Sequence, residues 1–172
     1  MLADESEAIA QEPAEEPGET LALEQVSVGG VGLGAPESVV LQTLGTPTRQ
    51  FDEDWRCCGI VRTLEYGADT TVQMLDIAEG KFEVFSFRTR DPNLATPDGI
   101  RIGDSRQLVE SAYGPSAGIN EEDGEEENGE TTLYYGAPID YAAALWFKLE
   151  GDARSDPAGH RVVEIGYDAQ LN

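Results

Sequence analysis

The chain has 172 residues, with 34 acidic against 11 basic side chains and a formal net charge of −23. A field of that sign repels phosphate backbones and anionic lipid surfaces, which argues against nucleic acid as a partner and favours cations and basic protein surfaces. No apolar run approaches the roughly 20 residues that span a bilayer, and Lys81 and Lys148 are the only lysines, a depletion that adaptation to high salt would also produce.

Residues 1–20 hold seven acids, two prolines and no base. There is too little apolar surface to offset the entropy of ordering, so this segment reads as a disordered acidic tail or tether. No basic n-region or apolar h-region marks a cleavable signal. A short acidic, proline-bearing leader is what a processed exported protein or lipoprotein carries. The expected localisation is therefore extracytoplasmic (secreted, periplasmic or lipoprotein), with the tail as tether to a membrane or envelope. Leu21–Val28 is the first stretch able to pack, as an edge strand or docking segment.

Gly30–Gly45 reads GVGLGAPESVVLQTLG, and Gly99–Gly114 reads GIRIGDSRQLVESAYG. A shift of 69 residues superposes Gly30, Gly34 and Gly45 on Gly99, Gly103 and Gly114. It also carries Val40 onto Val109, Leu44 onto Tyr113, and Thr63-Leu64-Glu65-Tyr66-Gly67 onto Thr132-Leu133-Tyr134-Tyr135-Gly136. Two separated matches in one register mark an internal duplication. In each copy a short extended piece leads into a helix. The first helix opens at Pro36-Glu37 and stops at Gly45 and Pro47. The second is capped by Asp104 or Ser105, carries Leu108, Val109, Ala112 and Tyr113 as its apolar stripe, and stops at Gly114-Pro115. Helices of about nine residues are unstable alone and must pack on something.

Strands follow each helix. Ile60–Tyr66, Thr70–Ile77 and Lys81–Arg88 alternate and are joined by hairpin-length turns. Thr131–Gly136, Tyr141–Leu149 and His160–Asp168 form the second set. The predicted fold class is α+β: two tandem repeats, each a short helix followed by three or four antiparallel strands, the two strand sets forming one continuous sheet or two packed units, with the helices packed on one side of the sheet. The domain division is 1–20 tail, 21–90 first repeat and 91–172 second repeat, the two repeats making one globular unit.

The pattern of Val31-Gly32-Leu33-Gly34, Val39-Val40, Leu44-Gly45 and Pro47, matched by Ile100-Arg101-Ile102-Gly103, Leu108-Val109 and Tyr113-Gly114-Pro115, resembles the repeat of β-lactamase inhibitor protein-like domains and of the SmpA/OmlA small outer-membrane lipoproteins. The resemblance implies an exported, non-enzymatic protein that binds other proteins, often over the face of its sheet. It transfers no individual binding residue.

Chemistry-bearing candidates are few. Cys57-Cys58 could close a strained ring, cross-link chains or remain two thiols, one pointing in and one out; without further ligands at suitable spacing it does not form a zinc site. Residues 119–130 contain seven acids. Glu121, Glu122, Asp123 and Glu125 could hold Ca²⁺, but the D-x-D-x-D-G spacing is missing and such runs are usually solvated loops. His160 has no nucleophile partner in sequence and reads as an exposed residue at a hairpin edge. The glycines of Gly29–Gly34 belong to the repeat and not to a phosphate loop. Trp55, Trp146 and Tyr134 remain: aromatics on a two-faced sheet are core on one face and binding anchors on the other. The expected function is a non-catalytic protein-binding module without cofactor, its partner an unidentified protein; the alternative is an acidic Ca²⁺-binding structural protein.

Overall fold

The structure is a computed structural model and describes residues 21–116, 118–121, 130–136, 143–151 and 159–169. The predicted tail, Glu122, Asp123, Glu125 and Tyr141 lie outside the described residues. After one 3₁₀ turn at Leu23–Gln25, a short antiparallel pair is formed by β1 (Ser27–Val28) and β2 (Val31–Gly32). Helix α1 (Glu37–Leu44) precedes β3 (Arg49–Trp55), β4 (Gly59–Tyr66), β5 (Thr70–Ala78) and β6 (Lys81–Thr89). Helix α2 (Arg106–Tyr113) precedes β7 (Gly118–Glu121), β8 (Glu130–Gly136), β9 (Ala143–Glu150) and β10 (Arg161–Ala169).

The eight longer strands pair in the order β3-β4-β5-β6-β10-β9-β8-β7, antiparallel throughout. This corrects the expected α+β class with two helix-plus-sheet tandem repeats. The fold is mostly β: one continuous antiparallel sheet plus a two-stranded pair, with α-helix confined, among the described residues, to two segments of eight residues each. The physical reason lies in the middle of the sheet. Ser86–Thr89 of β6 pairs with Ile165–Asp168 of β10, so no sheet edge separates the two sets of strands. Two turns of helix cannot organise a layer of their own.

The 69-residue match is expressed in local contacts. Tyr66 Oη donates to Gly45 O at 3.0 Å, and Tyr135 Oη donates to Gly114 O at 3.0 Å. Each of these glycines ends its helix at positive φ, 82° and 78°, a conformation that a side chain disfavours. The backbone before each helix clips onto a central strand: Gly34 and Ala35 onto Val84, Gly103 and Asp104 onto Val162.

One face of the sheet is core. Leu64, Val72, Phe87, Tyr167, Leu145 and Tyr135 are direct cross-strand neighbours from β4 to β8, and all are buried. Phe87 stacks on Tyr167 at 5.6 Å, and Tyr167 Oη donates to Val31 O at 2.9 Å, tying β2 across the sheet. Val40 is the buried residue of α1, and Val109 and Tyr113 are those of α2. Leu108, expected in the stripe of α2, is exposed. Tyr113 instead packs on Tyr135 and Phe147, each at 5.4 Å.

Strand β3 carries no alternating apolar pattern and was not expected. It is an edge strand, RQFDEDW, held to β4 along its whole length. Arg62 of β4 donates to Asp52 of β3 and to Glu37 of α1, and its guanidinium sits 4.0 Å from the Phe82 ring centroid. These hydrogen bonds hold the Asp52 carboxyl below its usual range and raise the arginine further.

Burial raises the tyrosines of the core. Tyr135 is pushed up to about 12, and Tyr113 and Tyr167 also lie above the ordinary value of about 10. Between these values the folded chain holds protons that the unfolded chain has lost, so stability is complete below the unfolded value and falls as pH rises. In an alkaline titration, tyrosinate absorbance from these residues should therefore appear together with loss of β circular dichroism, between pH about 10 and 12. Ionisation of all tyrosines near pH 10 with the fold intact would contradict this packing.

Candidate functional site

The second face of the sheet is open. Its side chains follow from strand register. One cross-strand row runs Phe51, Thr63, Gln73, Ser86, Asp168, Ala144 and Gly136. The next runs Arg49, Glu65, Thr71, Arg88, Gly166, Trp146 and Tyr134. These residues are mostly polar or small because this face is not covered by the helices, whose buried residues pack into the core on the other side.

Three sequence-predicted anchors, Trp55, Trp146 and Tyr134, stand on this one face. Trp55 ends β3 and is half-buried against Phe85, edge to face at 5.9 Å between centroids. Phe85 occupies the β-bulge between the pairs Gln73–Ser86 and Met74–Val84. Val61 and Phe85 are buried yet lie outside the main core cluster, so with Trp55 they form a small apolar patch at the β3 end. Thr63 lies in the neighbouring row, 3% exposed, and its hydroxyl has no hydrogen-bond partner among the described residues.

Trp146 is fixed from two sides. Its indole Nε1 donates to Asp168 Oδ2 at 2.8 Å, and Asp168 Oδ1 accepts from Ser86 Oγ at 2.6 Å. The ring lies over Gly166: a Cβ at that position would stand 2.3 Å from Trp146 Cζ2 and 2.5 Å from the Phe87 carbonyl oxygen. A glycine inside a strand marks such a close approach, and here it makes room for the indole.

Beside the indole is a shallow cleft of about 290 Å³, lined by Thr71, Gln73, Ser86, Arg88, Trp146, Glu164 and Asp168. Two of its acids are committed. Asp168 is bound as above, and Glu164 pairs with Arg90 at 2.7 Å. Arg88, Gln73 and Thr71 have no side-chain hydrogen bond or ion pair among the described residues. Sequence reasoning missed these polar residues because they come from β5, β6 and β10, which meet only in the folded sheet. Gly166 facing Trp146 is the local signal that could have pointed to them.

The remaining candidates fall elsewhere. Cys57 and Cys58 are joined to each other at the tip of the β3–β4 hairpin, where Cys58 N donates to Trp55 O at 2.8 Å. Glu121 ends β7, the edge strand two places from β9; of the four acids considered for Ca²⁺, the other three lie outside the described residues. Among the described residues no group of three or more His, Cys, Asp or Glu side chains is placed to hold a metal. His160 is fully buried rather than exposed. Its Nε2 contacts Gly151 O, while its Nδ1 has no partner among the described residues. It packs against Gly151 at the β9–β10 connection, and among the described residues no nucleophile is paired with it.

Replacing Gly166 by Ala should cost about 1–3 kcal/mol, because the new methyl meets backbone as well as indole. Chemical denaturation of the variant should show that loss together with altered tryptophan fluorescence. A variant of wild-type stability and spectrum would mean that the indole does not lie over β10.

No protein-family model matches the chain, and no curated protein is significantly similar to it. Among solved structures it is similar to the uncharacterized protein YfeY from Escherichia coli, with 14% identity and a TM-score of 0.50 over 87% of this chain and 99% of that one. At that identity the likeness concerns the fold alone. Among the described residues, no helix is long and apolar enough to cross a membrane.

Proposed function

We propose that this protein is a non-catalytic, extracytoplasmic protein-binding module that uses the open face of its sheet. The observation that carries the reading is the placement of Trp55, Trp146 and Tyr134 on one face, with Trp146 pinned by Asp168 and Gly166. A rigid aromatic contributes contact area at little entropic cost, which is the character of a binding hot spot. The resemblance of the two glycine-flanked helix motifs to exported inhibitor-like and lipoprotein repeats supports it, as does the joined Cys57–Cys58 pair, since disulfides persist in oxidising compartments. The net charge of −23 favours a partner with a basic surface.

The test is affinity capture from envelope and soluble fractions of the source cells, followed by direct titration of any captured protein. Wild type is compared with Trp55→Ala/Trp146→Ala and with Arg88→Glu, a substitution at an exposed position on the same face. The expected result is a partner whose affinity falls by about tenfold or more in the tryptophan variant, equivalent to about 1.4 kcal/mol. A partner held equally by all three proteins would move the interface off this face.

A further inference from the structure

We propose that the Cys57–Cys58 bond at the tip of the β3–β4 hairpin is a site of thiol–disulfide exchange, opened by a dithiol reductant, and that its closure fixes Trp55 against Phe85. This chemistry goes beyond protein binding and holds whether or not the open face takes a partner.

The bond contributes little as a staple. A disulfide stabilises a fold chiefly by restricting the unfolded chain, and that effect grows with the length of the loop it closes. Cys57 and Cys58 are neighbours in sequence, so the closed loop holds only the two residues themselves. Nor does the bond join one element to another, because β3 and β4 are already paired from Arg49–Glu65 to Trp55–Gly59. What it constrains is the turn. Cys58 N donates to Trp55 O at 2.8 Å, and Gly59 follows at a positive φ of 105°. Trp55 is thus both the last residue of β3 and the acceptor of the turn. Its indole meets Phe85 edge to face, beside the buried Val61. With the ring closed, both cysteine side chains have lost their rotamer freedom, and the turn that ends at Trp55 is restricted with them. Opening the ring returns that freedom next to the residue that packs on Phe85.

Access favours exchange. Cys57 is exposed and Cys58 half-buried, and exposed disulfides are the labile ones. A thiolate of the reductant attacks Cys57 Sγ. A mixed disulfide forms, the bond to Cys58 Sγ breaks, and Cys58 leaves as a thiolate that takes up a proton. The second thiolate of the reductant then attacks its own sulfur in the mixed disulfide. The reductant closes its ring, and Cys57 is released as a thiolate and protonated in turn. Two electrons pass from the dithiol to the cysteine pair. The reverse exchange, with a disulfide as oxidant, needs no movement of either strand, because the two sulfurs remain on neighbouring residues.

The experiment equilibrates the full, folded chain with dithiothreitol mixed with its oxidised form, over a series of ratios. Each sample is quenched with iodoacetamide and weighed by intact-mass spectrometry, and a parallel isotope-labelled series follows the indole N–H resonances. Trp146→Phe assigns the two resonances, since Trp55 and Trp146 are the only tryptophans. The expected result is that both thiols become alkylated across the series without denaturant, and that the Trp55 indole N–H shifts while that of Trp146 stays. Cys57→Ser/Cys58→Ser should show the Trp55 resonance of the reduced chain and the unfolding midpoint of the oxidised one. Cys57 left alone in Cys58→Ser should react with iodoacetamide several-fold faster than Cys58 left alone in Cys57→Ser. A bond that stays closed at every ratio, or opens only in denaturant, would overturn the proposal. So would a Trp55 resonance indifferent to opening, a double serine variant that is markedly less stable or fails to fold, or a Cys58 as reactive as Cys57. None of these readouts involves a partner, so their failure leaves the protein-binding reading standing.

Discussion

The pairing of β6 with β10 is the constraint on which the rest depends. Four residues of each strand, Ser86–Thr89 and Ile165–Asp168, make the seam between the strands that follow α1 and those that follow α2. The cleft beside Trp146 straddles it. Ser86 lies on one side and Asp168 on the other, so the carboxylate that accepts from the Trp146 indole is itself held by a hydrogen bond across the seam. On the opposite face, the stack of Phe87 on Tyr167 seals the same seam with buried aromatic area. Hydrophobic burial beneath and a polar network above therefore act on one strand pair.

The seam also explains the division of labour between the faces. The short helices, β1, β2 and the chain before each helix are all spent covering the core side, where Gly34, Ala35, Gly103 and Asp104 clip onto the central strands. No comparable segment among the described residues lies over the other side. That side must then remain soluble on its own terms, and its cross-strand rows of Thr, Gln, Ser, Asp, Glu and Arg do so while leaving a few aromatics in fixed positions.

Much of this was legible in the sequence where burial is one-sided. The alternation of Leu145, Phe147 and Leu149 with Trp146 and Lys148 announces a strand with one core face, and the structure has it as β9. Pro36, Gly45 and Gly114 bracket the helices as expected from their backbone preferences. Less was legible where no face is buried. β3 is acidic and mostly exposed, so periodicity is silent there and only pairing with β4 makes it a strand. The helices fall where their cap signals put them, but their weight in the fold class was overrated, because that class depends on how the strands join, which no local pattern encodes. The burial of His160 was likewise invisible, since it follows from a long-range approach to the Gly151 backbone. Of the open face, the tryptophans could be singled out by residue type; Arg88, Gln73 and Asp168 could not, because register alone assembles them.

The acidic edge strand has a consequence for how the molecule behaves among its own copies. A sheet of eight strands that is not closed into a barrel exposes backbone hydrogen-bonding groups at its margins, and such margins recruit further strands. Along β3 that recruitment is opposed by Asp52, Glu53 and Asp54, which place like charges against like whenever two copies approach edge to edge. Arg62 keeps Asp52 ionised to lower pH than an ordinary aspartate. The repulsion is thus built to outlast mild acidification, and the same charges that disguised β3 as a loop keep the folded chain from growing into a larger sheet.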